Sequence, residues 1–256
     1  DEAFVVDLCR RLEISCEVGR ADRAAGTLDE PEGDRCRPGG SQGEAQLRAA
    51  RYQFLCDTAP QAGARYVATG HTADDQAETV LLRILRGTGI AGLAGIRRHR
   101  QLTPGVSLVR PLLNVSRDQA REYLESLGQG YRDDRSNSDL RYTRNRVRHE
   151  LLPHLADQYN PGVVDALTRL AGLAEGVQDV VTSLLGDLQT RCVRVDSPDQ
   201  VTVDCRELVT VSRYLVRELL IAVWQRQGWP LQAMGYERWE QLGDLACPAV
   251  PPSKDW

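Results

Sequence analysis

A short strand pattern that leads at once into a well-marked amphipathic helix is the feature that most constrains the fold. Residues 65–69 read as a short strand with β-branched and aromatic members. After Gly70 and His71, Thr72 can cap a helix whose first turn is acidic and whose end is marked by Gly87. The predicted apolar stripe of this helix comprises Ala77, Val80, Leu81, Ile84 and Leu85. A strand followed directly by a helix is the basic unit of an α/β layer.

The segments before this unit continue the alternation of helix and strand. Apolar residues have helical spacing over 4–12, and residues 14–18 alternate in the manner of a strand. Residues 19–43 are rich in Gly, Pro, Asp and Arg, which predicts a long mobile loop. A helix is predicted over 44–58. Its predicted core-facing side chains are Leu47, Ala50, Phe54 and Leu55.

The segments after the unit divide into two kinds. A basic, strand-like segment ends at 108–113, and Ser116 caps a predicted helix that runs to about residue 127. A long helix is predicted from residue 160, then a short strand over 201–204 and helices around 214–227 and 236–245. The sequence therefore predicts an α/β domain with a parallel sheet over 1–155 and a mainly helical domain over 156–256.

Charge is unevenly distributed along the chain. The net charge is −4, but the segment 97–148 carries twelve Arg against six acids, a net of +6, which leaves −10 for the remainder. Such a segment can bind phosphates locally while the whole chain stays acidic. No apolar run reaches the ~18 residues of a membrane span, and the N-terminus has no signal-type run. A cytoplasmic protein without membrane contact is expected.

The cysteines argue against several kinds of site. There are seven, an odd number, and no two have C-x-x-C spacing. That pattern disfavours a disulfide framework, a zinc site and an iron–sulfur site. Reduced thiols in a cytosolic protein are the expected state.

The first candidate site lies where the predicted strand meets the helix. His71 and Asp75 are four residues apart and can point to the same side, with Glu78 one turn further along. In open α/β sheets, ligands bind beyond the carboxyl ends of the strands. Carboxylates there can hold Mg²⁺ beside a polyphosphate. The alternative is that Asp74 and Asp75 only complement the helix dipole and that His71 packs locally.

The second candidate site is the basic run 141–149. Arg144 and Arg148 are spaced i, i+4, and Arg141 lies two turns before Arg148, so with Asn145 these residues could clamp phosphates. The alternative is a solvated helix face whose arginines pair with nearby acids. A third stripe, Glu44, Arg48 and Arg51, has the same two interpretations.

Four motifs in a fixed order resemble those of the tRNA(Ile)-lysidine synthetases, a family of N-type ATP pyrophosphatases of the PP-loop superfamily. They are E-x-x-x-R-x-x-R-Y at 44–52; G-H-x-x-D-D-x-x-E-T at 70–79, continuing as L-R-x-x-R-G-x-G-x-x-G-L at 82–93; R-P-L-L at 110–113; and D-x-S-N-x-D at 134–139, leading into R-N-x-V-R at 144–148 and L-P at 152–153. The resemblance is clear over about residues 1–190 and weak beyond.

The resemblance implies a Rossmann-like fold of the adenine-nucleotide α-hydrolase type and a tRNA-modifying ligase that forms a carbon–nitrogen bond. ATP, with Mg²⁺, would adenylate the C2 carbonyl oxygen of the wobble cytidine in CAU-anticodon tRNA(Ile). The amine of free L-lysine would then displace AMP and form lysidine. A flipped, single-stranded anticodon base suits such a pocket. A homodimer is a further expectation from the family.

The resemblance also assigns roles to residues. The catalytic residues implied are His71, Asp75, Arg144 and Arg148. Those implied to contact ATP or its metal are Arg48, His71, Asp74, Asp75 and Glu78, with Asp75 as the Mg²⁺ ligand and with Asp74 and Glu78 shaping the site or the lysine pocket. Those implied to bind tRNA are Arg51, Arg141 and Arg146.

One departure from the family is important. Its pyrophosphate loop, S-G-G-x-D-S, does not occur in this sequence. The chain is therefore expected to be truncated at its N-terminus, to bind ATP poorly and to be marginal as an isolated fold. Residues 248–256 end without an obvious final element, so a last subdomain is also expected to be missing. Two alternatives stay open: another PP-loop tRNA-modifying enzyme such as a tRNA thiolase, many of which carry C-x-x-C, and a non-catalytic RNA-binding remnant.

Overall fold

Residues 1–20, 42–132, 139–232 and 234–246 are described by a computed structural model. The chain divides into two units, Asp1–Glu175 and Gly176–Trp256. The division falls within a long helix, and the domain boundary expected near residue 155 stays a prediction. None of the helices in these described ranges combines the length and apolarity that a membrane crossing requires.

The first unit contains helices on a small sheet. Its helices are α1 (Glu2–Arg11), α2 (Gln42–Gln61), α3 (Ala73–Leu85), α4 (Ile90–Leu93), α5 (Arg117–Ser126), α6 (Thr143–Arg146), a π-helical turn (Val147–Leu151) and α7 (Leu152–Gln158), followed by the start of α8 (Val163–Cys192). Its strands are β1 (Tyr66–Ala68), β2 (His99–Thr103) and β3 (Val106–Val109). The predicted strand at 65–69, the Thr72 and Ser116 helix starts and the long helix after residue 160 are confirmed.

The sheet has the order β1-β3-β2 and is mixed. β1 pairs parallel with β3, with Val67 opposite Leu108, as the predicted α/β layer requires. β2 pairs antiparallel with β3, so the predicted parallel arrangement does not extend to this strand. Only residues 104–105 join β2 to β3, and so short a connection allows a hairpin but not a parallel crossover.

The strand predicted at 14–18 is not present. These residues have no regular structure, and Ile14 and Val18 are exposed. A strand is stabilised by its ladder, and no strand in the described part of the chain pairs with this segment. Of the loop predicted over 19–43, residues 21–41 lie outside the described residues.

One core cluster joins α2 to the sheet. Ala59 packs with Leu102, Val106 and Leu108, and Tyr52 and Leu55 lie against them. Helix α2 thus contacts the sheet through its carboxyl-terminal half. Leu47, which was predicted to face the core, is exposed because it precedes that half.

A second cluster joins α3 to the segment that follows α6. Ala77 and Leu81 pack with Val147 and Leu152. Ile84 and Leu85, predicted members of the same stripe, are largely exposed. The apolar contacts of α3 in this cluster end at Leu82, so no described residue of the cluster covers the last turn. The cluster nevertheless fixes the π-helical turn against the face of α3.

The second unit is helical with one hairpin. Its elements are the end of α8, β4 (Val193–Ser197), β5 (Gln200–Val203), a 3-10 turn (Cys205–Leu208), α9 (Arg213–Arg226) and α10 (Tyr236–Ala246). The strand predicted at 201–204 and both predicted helices are confirmed. Strand β4 was missed because it follows Cys192 of α8 with no intervening turn residue. Leu208, Val216 and Leu219 form the centre of the core of this unit.

The backbone on both sides of Gly95 is hydrogen-bonded by the side-chain amide of Gln76. The Gln76 amide donates to the carbonyl oxygens of Ala94 and Ile96 at 3.3 and 3.2 Å and accepts from Ile96 N–H at 2.6 Å. Gly95 has φ +64°, and a Cβ there would lie 2.5 Å from Oε1 of Gln76. This turn therefore needs glycine for both its conformation and its space.

Gly95→Ala is expected to destabilise the protein by about 2–4 kcal/mol, since strain at positive φ adds to overpacking. Gly63→Ala is the matched control, because Gly63 has φ +65° with no atom within 4 Å of the added Cβ, and it should cost about 1 kcal/mol. Urea unfolding of both variants measures the difference. Equal losses would show that the contact with Gln76 does not matter.

Candidate functional site

Helix α3 begins at the carboxyl end of β1 with its first acids already engaged. Oδ2 of Asp75 accepts hydrogen bonds from the Thr72 N–H at 2.9 Å and the Thr72 hydroxyl at 3.1 Å. Satisfying an orphan donor in this way stabilises the helix start. The capping interpretation of Asp75 is thus correct for one oxygen, and it leaves Oδ1 available for other contacts.

Asp74 joins two helix starts. Its Oδ2 accepts from the Arg117 N–H at 2.7 Å, at the first residue of α5. Beside it, the Ala73 N–H donates to the Val115 carbonyl at 2.9 Å. Asp74, which was predicted to contact ATP or its metal, therefore holds α5 against α3. Arg117 was not singled out in the sequence.

Glu78 is the most enclosed acid of this region, with a side chain only 1% exposed. Arg148 donates from Nε to Oε1 at 2.6 Å and from Nη2 to Oε2 at 2.9 Å. Arg144 Nε donates to Oε2 at 2.9 Å, and Arg117 Nη2 donates to Oε1 at 3.4 Å. A buried carboxylate charge requires such partners, because isolated burial is very costly.

The same guanidinium groups reach Asp75. Its Oδ1 lies 3.2 Å from Nη2 of Arg144, 3.3 Å from Nη2 of Arg148 and 3.8 Å from Nη2 of Arg117. We call Asp75, Glu78, Arg117, Arg144 and Arg148 the guanidinium–carboxylate cluster. Three positive charges meet two negative ones in it, so it carries one excess positive charge.

The cluster shifts the pKa values of two members. Burial raises the pKa of Asp75, but the Thr72 hydrogen bonds and the charges of Arg144 and Arg117 outweigh it, and the pKa lies below its ordinary 3.8. Burial opposes the charge of Arg148, but the hydrogen bond and charge of Glu78 raise its pKa above the ordinary value. Both groups are therefore ionised at neutral pH.

Arg144 and Arg148 have the predicted i, i+4 spacing, and both side chains contact the carboxylates of Asp75 and Glu78. Between them, Asn145 and Val147 are buried. The Asn145 amide donates to the Asp139 carbonyl at 2.9 Å, so it is engaged in fixing α6. The π-helical turn carries Arg148, and such turns are frequent at functional sites.

His71 lies near the cluster as a neutral imidazole. Its Nδ1 is 3.0 Å from the Thr69 hydroxyl. Burial and the positive charges of Arg110, Arg144 and Arg48 lower the pKa of His71, and Asp75 only partly offsets them. Of these cations, Arg110 is 2% exposed, and Arg48 stacks on the Tyr52 ring at 5.3 Å. The predicted residues Asp75, Arg144 and Arg48 thus all act electrostatically on His71.

The three predicted tRNA-binding residues lie outside the cluster. Arg141 is 86% exposed and pairs with Asp139 at 2.7 Å, which fits the alternative of a solvated, paired face. Arg146 is exposed and donates to the Thr143 hydroxyl at 3.4 Å. Arg51 is exposed on α2. Of the stripe with Arg48 and Arg51, the Glu44 side chain lies outside the described residues.

The cluster does not fit the predicted Mg²⁺ site on Asp75. Among the described residues, no group of three or more His, Cys, Asp or Glu is arranged to hold a metal ion. Both oxygens of Asp75 already accept hydrogen bonds, and three guanidinium groups lie within 4 Å of Oδ1. A cation there would be repelled by them.

The arrangement favours anions. His71 and Arg110 follow the carboxyl ends of the parallel strands β1 and β3, where open α/β sheets bind ligands. Guanidinium groups offer phosphate a bidentate geometry. Helices packed on a sheet in which β1 and β3 run parallel place the first unit in the class of α/β domains.

Comparison with known proteins gives the family. Residues 1–155 match the PP-loop domain family, and the chain belongs to it. Over 264 residues it is 33% identical to the tRNA(Ile)-lysidine synthase of Rhodopirellula baltica, covering 96% of this chain and 64% of that protein. The tRNA(Ile)-lysidine synthase of Salinispora arenicola is 50% identical over 137 residues, 54% of this chain and 40% of that protein. The resemblance read from the four motifs is confirmed, and the chain spans less than two thirds of either relative.

A solved structure supports the fold. The U34-tRNA thiolase NcsA from Methanococcus maripaludis, with its 4Fe-4S cluster, superposes with a TM-score of 0.50 at 20% identity, covering 68% of this chain and 55% of that chain. At this identity the likeness concerns the fold alone. The predicted Rossmann-like class is confirmed.

Glu78→Gln is expected to lower the free energy of unfolding by roughly 2–4 kcal/mol, because three guanidinium groups lose their most enclosed counter-charge. Asp118→Asn is the control: Asp118 is 86% exposed and pairs with Arg121 at 3.8 Å, so its loss should change stability little. Denaturant unfolding measures both. A Glu78→Gln variant as stable as the control would contradict the role of the cluster in the fold.

Acidification should selectively remove the contribution of Asp75. Its pKa is lower in the folded protein than the ordinary 3.8, so its ionisation stabilises the fold above about pH 4 and is lost as pH falls through the folded pKa. The stability difference between the parent and Asp75→Asn should be largest near pH 6 and should shrink below about pH 4. Urea unfolding at a series of pH values measures it. A difference that stays constant down to pH 3 would refute the depressed pKa.

Proposed function

We propose that the protein is a tRNA-modifying ligase that uses ATP to join lysine to C2 of the wobble cytidine of CAU-anticodon tRNA(Ile). One observation carries this proposal. The motif residues His71, Asp75, Arg144 and Arg148, which the family resemblance singles out, lie close together beyond the carboxyl end of β1, where open α/β sheets bind ligands. The names of the two relatives, both tRNA(Ile)-lysidine synthases, support the same reaction.

The chemistry suits the cluster. An amide-like carbonyl oxygen leaves poorly until it is adenylated, and negative charge grows on phosphate oxygens during the transfer. Preorganised guanidinium groups stabilise such charge without reorganising. Arg144, 33% exposed, can turn a donor toward a phosphate, whereas Arg148, 16% exposed, holds Glu78. We assign phosphate contact to Arg144 and the positioning of the cluster to Arg148.

His71 would act as a neutral partner. With Nδ1 bonded to the Thr69 hydroxyl, Nε2 is the ring nitrogen that can meet a ligand. In a neutral imidazole, Nε2 either donates or accepts one hydrogen bond, according to the tautomer. This fits contact with the nucleotide better than a fixed charge would, in a site already rich in cations.

The finer parts of the proposal follow from the family. ATP use is implied by the PP-loop family. Mg²⁺ is expected with the ATP phosphates, and we assign no residue of this chain to it. L-lysine as co-substrate, a homodimer and a cytoplasmic location are predictions from the resemblance.

We further infer that this chain alone is inactive in ATP activation. It contains no S-G-G-x-D-S sequence, and glycine-rich loops of this kind cradle phosphates with backbone N–H groups. The alternative of a tRNA thiolase is disfavoured because the chain has no C-x-x-C pair. The alternative of an RNA-binding remnant predicts RNA binding without catalysis even when the loop is supplied.

The test compares this chain with a chimera in which a relative supplies the segment carrying S-G-G-x-D-S. With tRNA(Ile) and lysine, the chimera should catalyse ATP–pyrophosphate exchange and form lysidine, detected by mass spectrometry of the nucleosides, and this chain alone should not. In the chimera, Arg144→Gln should lower kcat/KM by about 10²–10³, as for loss of one transition-state donor.

Arg121→Gln is the matched control for Arg144→Gln, since Arg121 is an arginine of α5 that pairs with Asp118 outside the cluster. It should leave turnover nearly unchanged. A chimera that binds tRNA but shows neither exchange nor lysidine would support the remnant and refute the ligase.

A further inference from the structure

The chain contains a long basic segment without a single acid. Residues 79–117, thirty-nine in number, include seven Arg and no Asp or Glu. The arginines are Arg83, Arg86, Arg97, Arg98, Arg100, Arg110 and Arg117. The guanidinium–carboxylate cluster uses Arg117, and Arg83 donates to the carbonyls of Gly92 and Gly95. The group at 97–100 has no part in the site described above.

The strand topology brings this group to the ligand edge of the sheet. β2 runs antiparallel to β3, so His99 lies opposite Val109, at the carboxyl end of β3. Arg110 N–H donates to the Arg98 carbonyl at 3.0 Å, and the Arg110 guanidinium donates to the Arg97 carbonyl. On the other side of β3, the Thr69 N–H donates to the Val109 carbonyl at 3.0 Å. Arg97 and Arg98 thus share the sheet edge from which His71 projects.

A stacked trio extends this basic edge onto α2. The guanidinium of Arg100 lies 4.7 Å from the centre of the Tyr52 ring, and that of Arg48 lies 5.3 Å from it. Arg98 immediately precedes β2, and its carbonyl accepts from the Arg110 N–H. It therefore lies beyond Arg100 in the direction of the carboxyl end of β3.

The charges of Arg97 and Arg98 are not neutralised within the described ranges. Both residues are exposed, and neither forms an ion pair with a described acid. Some other exposed arginines do: Arg194 pairs with Asp196, and Arg206 pairs with Asp204, each at 2.7 Å. Such local pairing is impossible within 79–117, because this segment contains no acid.

We propose that Arg97, Arg98, Arg100 and Arg48 form a phosphate-binding surface, the β2 surface, for the RNA backbone beside the modified nucleotide. The proposal rests on the RNA substrate of the proposed function and adds where that RNA lies. The exposed guanidinium groups of Arg97 and Arg98, which no described acid neutralises, match phosphates in charge and geometry. Arginines stacked on an aromatic ring also present flat faces, on which the bases of single-stranded RNA can stack.

The test measures binding of an unmodified tRNA(Ile) transcript by the whole chain, without ATP, over a range of salt concentrations. Arg97→Gln with Arg98→Gln should weaken binding and lower the magnitude of the slope of log K against log salt by about 1.4, since each contact to single-stranded phosphate contributes about 0.7. Arg97→Lys with Arg98→Lys should retain most of the slope. Thermal unfolding verifies that each variant is folded.

The matched control replaces Arg194 and Arg206 by glutamine, which removes the same charge from exposed positions of the second unit. It should leave the slope unchanged. If the parent binds tRNA and the folded Arg97/Arg98 glutamine variant has the same affinity and slope, the β2 surface is refuted and the proposed function is untouched. If the parent does not bind tRNA, both the surface and the proposed function lose their support.

Discussion

The buried carboxylate of Glu78 is the interaction on which the first unit depends. It lies on the face of α3 and receives guanidinium groups from the start of α5, from α6 and from the π-helical turn. A charge with 1% exposure cannot be left unpaired. The positions of its guanidinium partners are therefore fixed. Through them, α5, α6 and the π-helical turn are held against α3, from which they are distant in sequence. The apolar contacts of Ala77 and Leu81 with Val147 and Leu152 hold the same elements from the other side.

The guanidinium–carboxylate cluster stabilises the fold and also retains the positive charge that binds an anion. Two carboxylates are enough to hold three guanidinium groups in place but not to neutralise them. Arg148 is the most enclosed of the three, whereas Arg144 and Arg117 are about a third exposed, at 33% and 31%. Because the donors are already oriented by Asp75 and Glu78, a phosphate entering the site would not have to pay for ordering long, flexible side chains.

Sequence patterns could predict whatever depends on local spacing. The start of α3 at Thr72, the start of α5 at Ser116 and the common side of Arg144 and Arg148 all follow from neighbours within one or two turns. The role of Asp74 could not be predicted, because its partner is the Arg117 N–H, 43 residues away. Exposure was predicted poorly for Leu47 and Leu85 for a related reason: an apolar stripe shows which face can be buried, whereas packing elements decide how far burial extends. The absent strand at 14–18 had the right alternation but no described partner.

A chain with a net charge of −4 can still present a strongly basic ligand edge, because topology and not sequence proximity gathers the charges. Arg48 comes from α2, Arg98 immediately precedes β2, Arg110 immediately follows β3, and Arg144 lies in α6. The hairpin of β2 and β3 is essential to this. In an all-parallel sheet the start of β2 would lie at the opposite edge, away from His71. The antiparallel strand that the helix–strand alternation did not predict is thus the element that brings Arg97 and Arg98 beside Arg110, and the buried Arg110 side chain fixes that register through the Arg97 carbonyl.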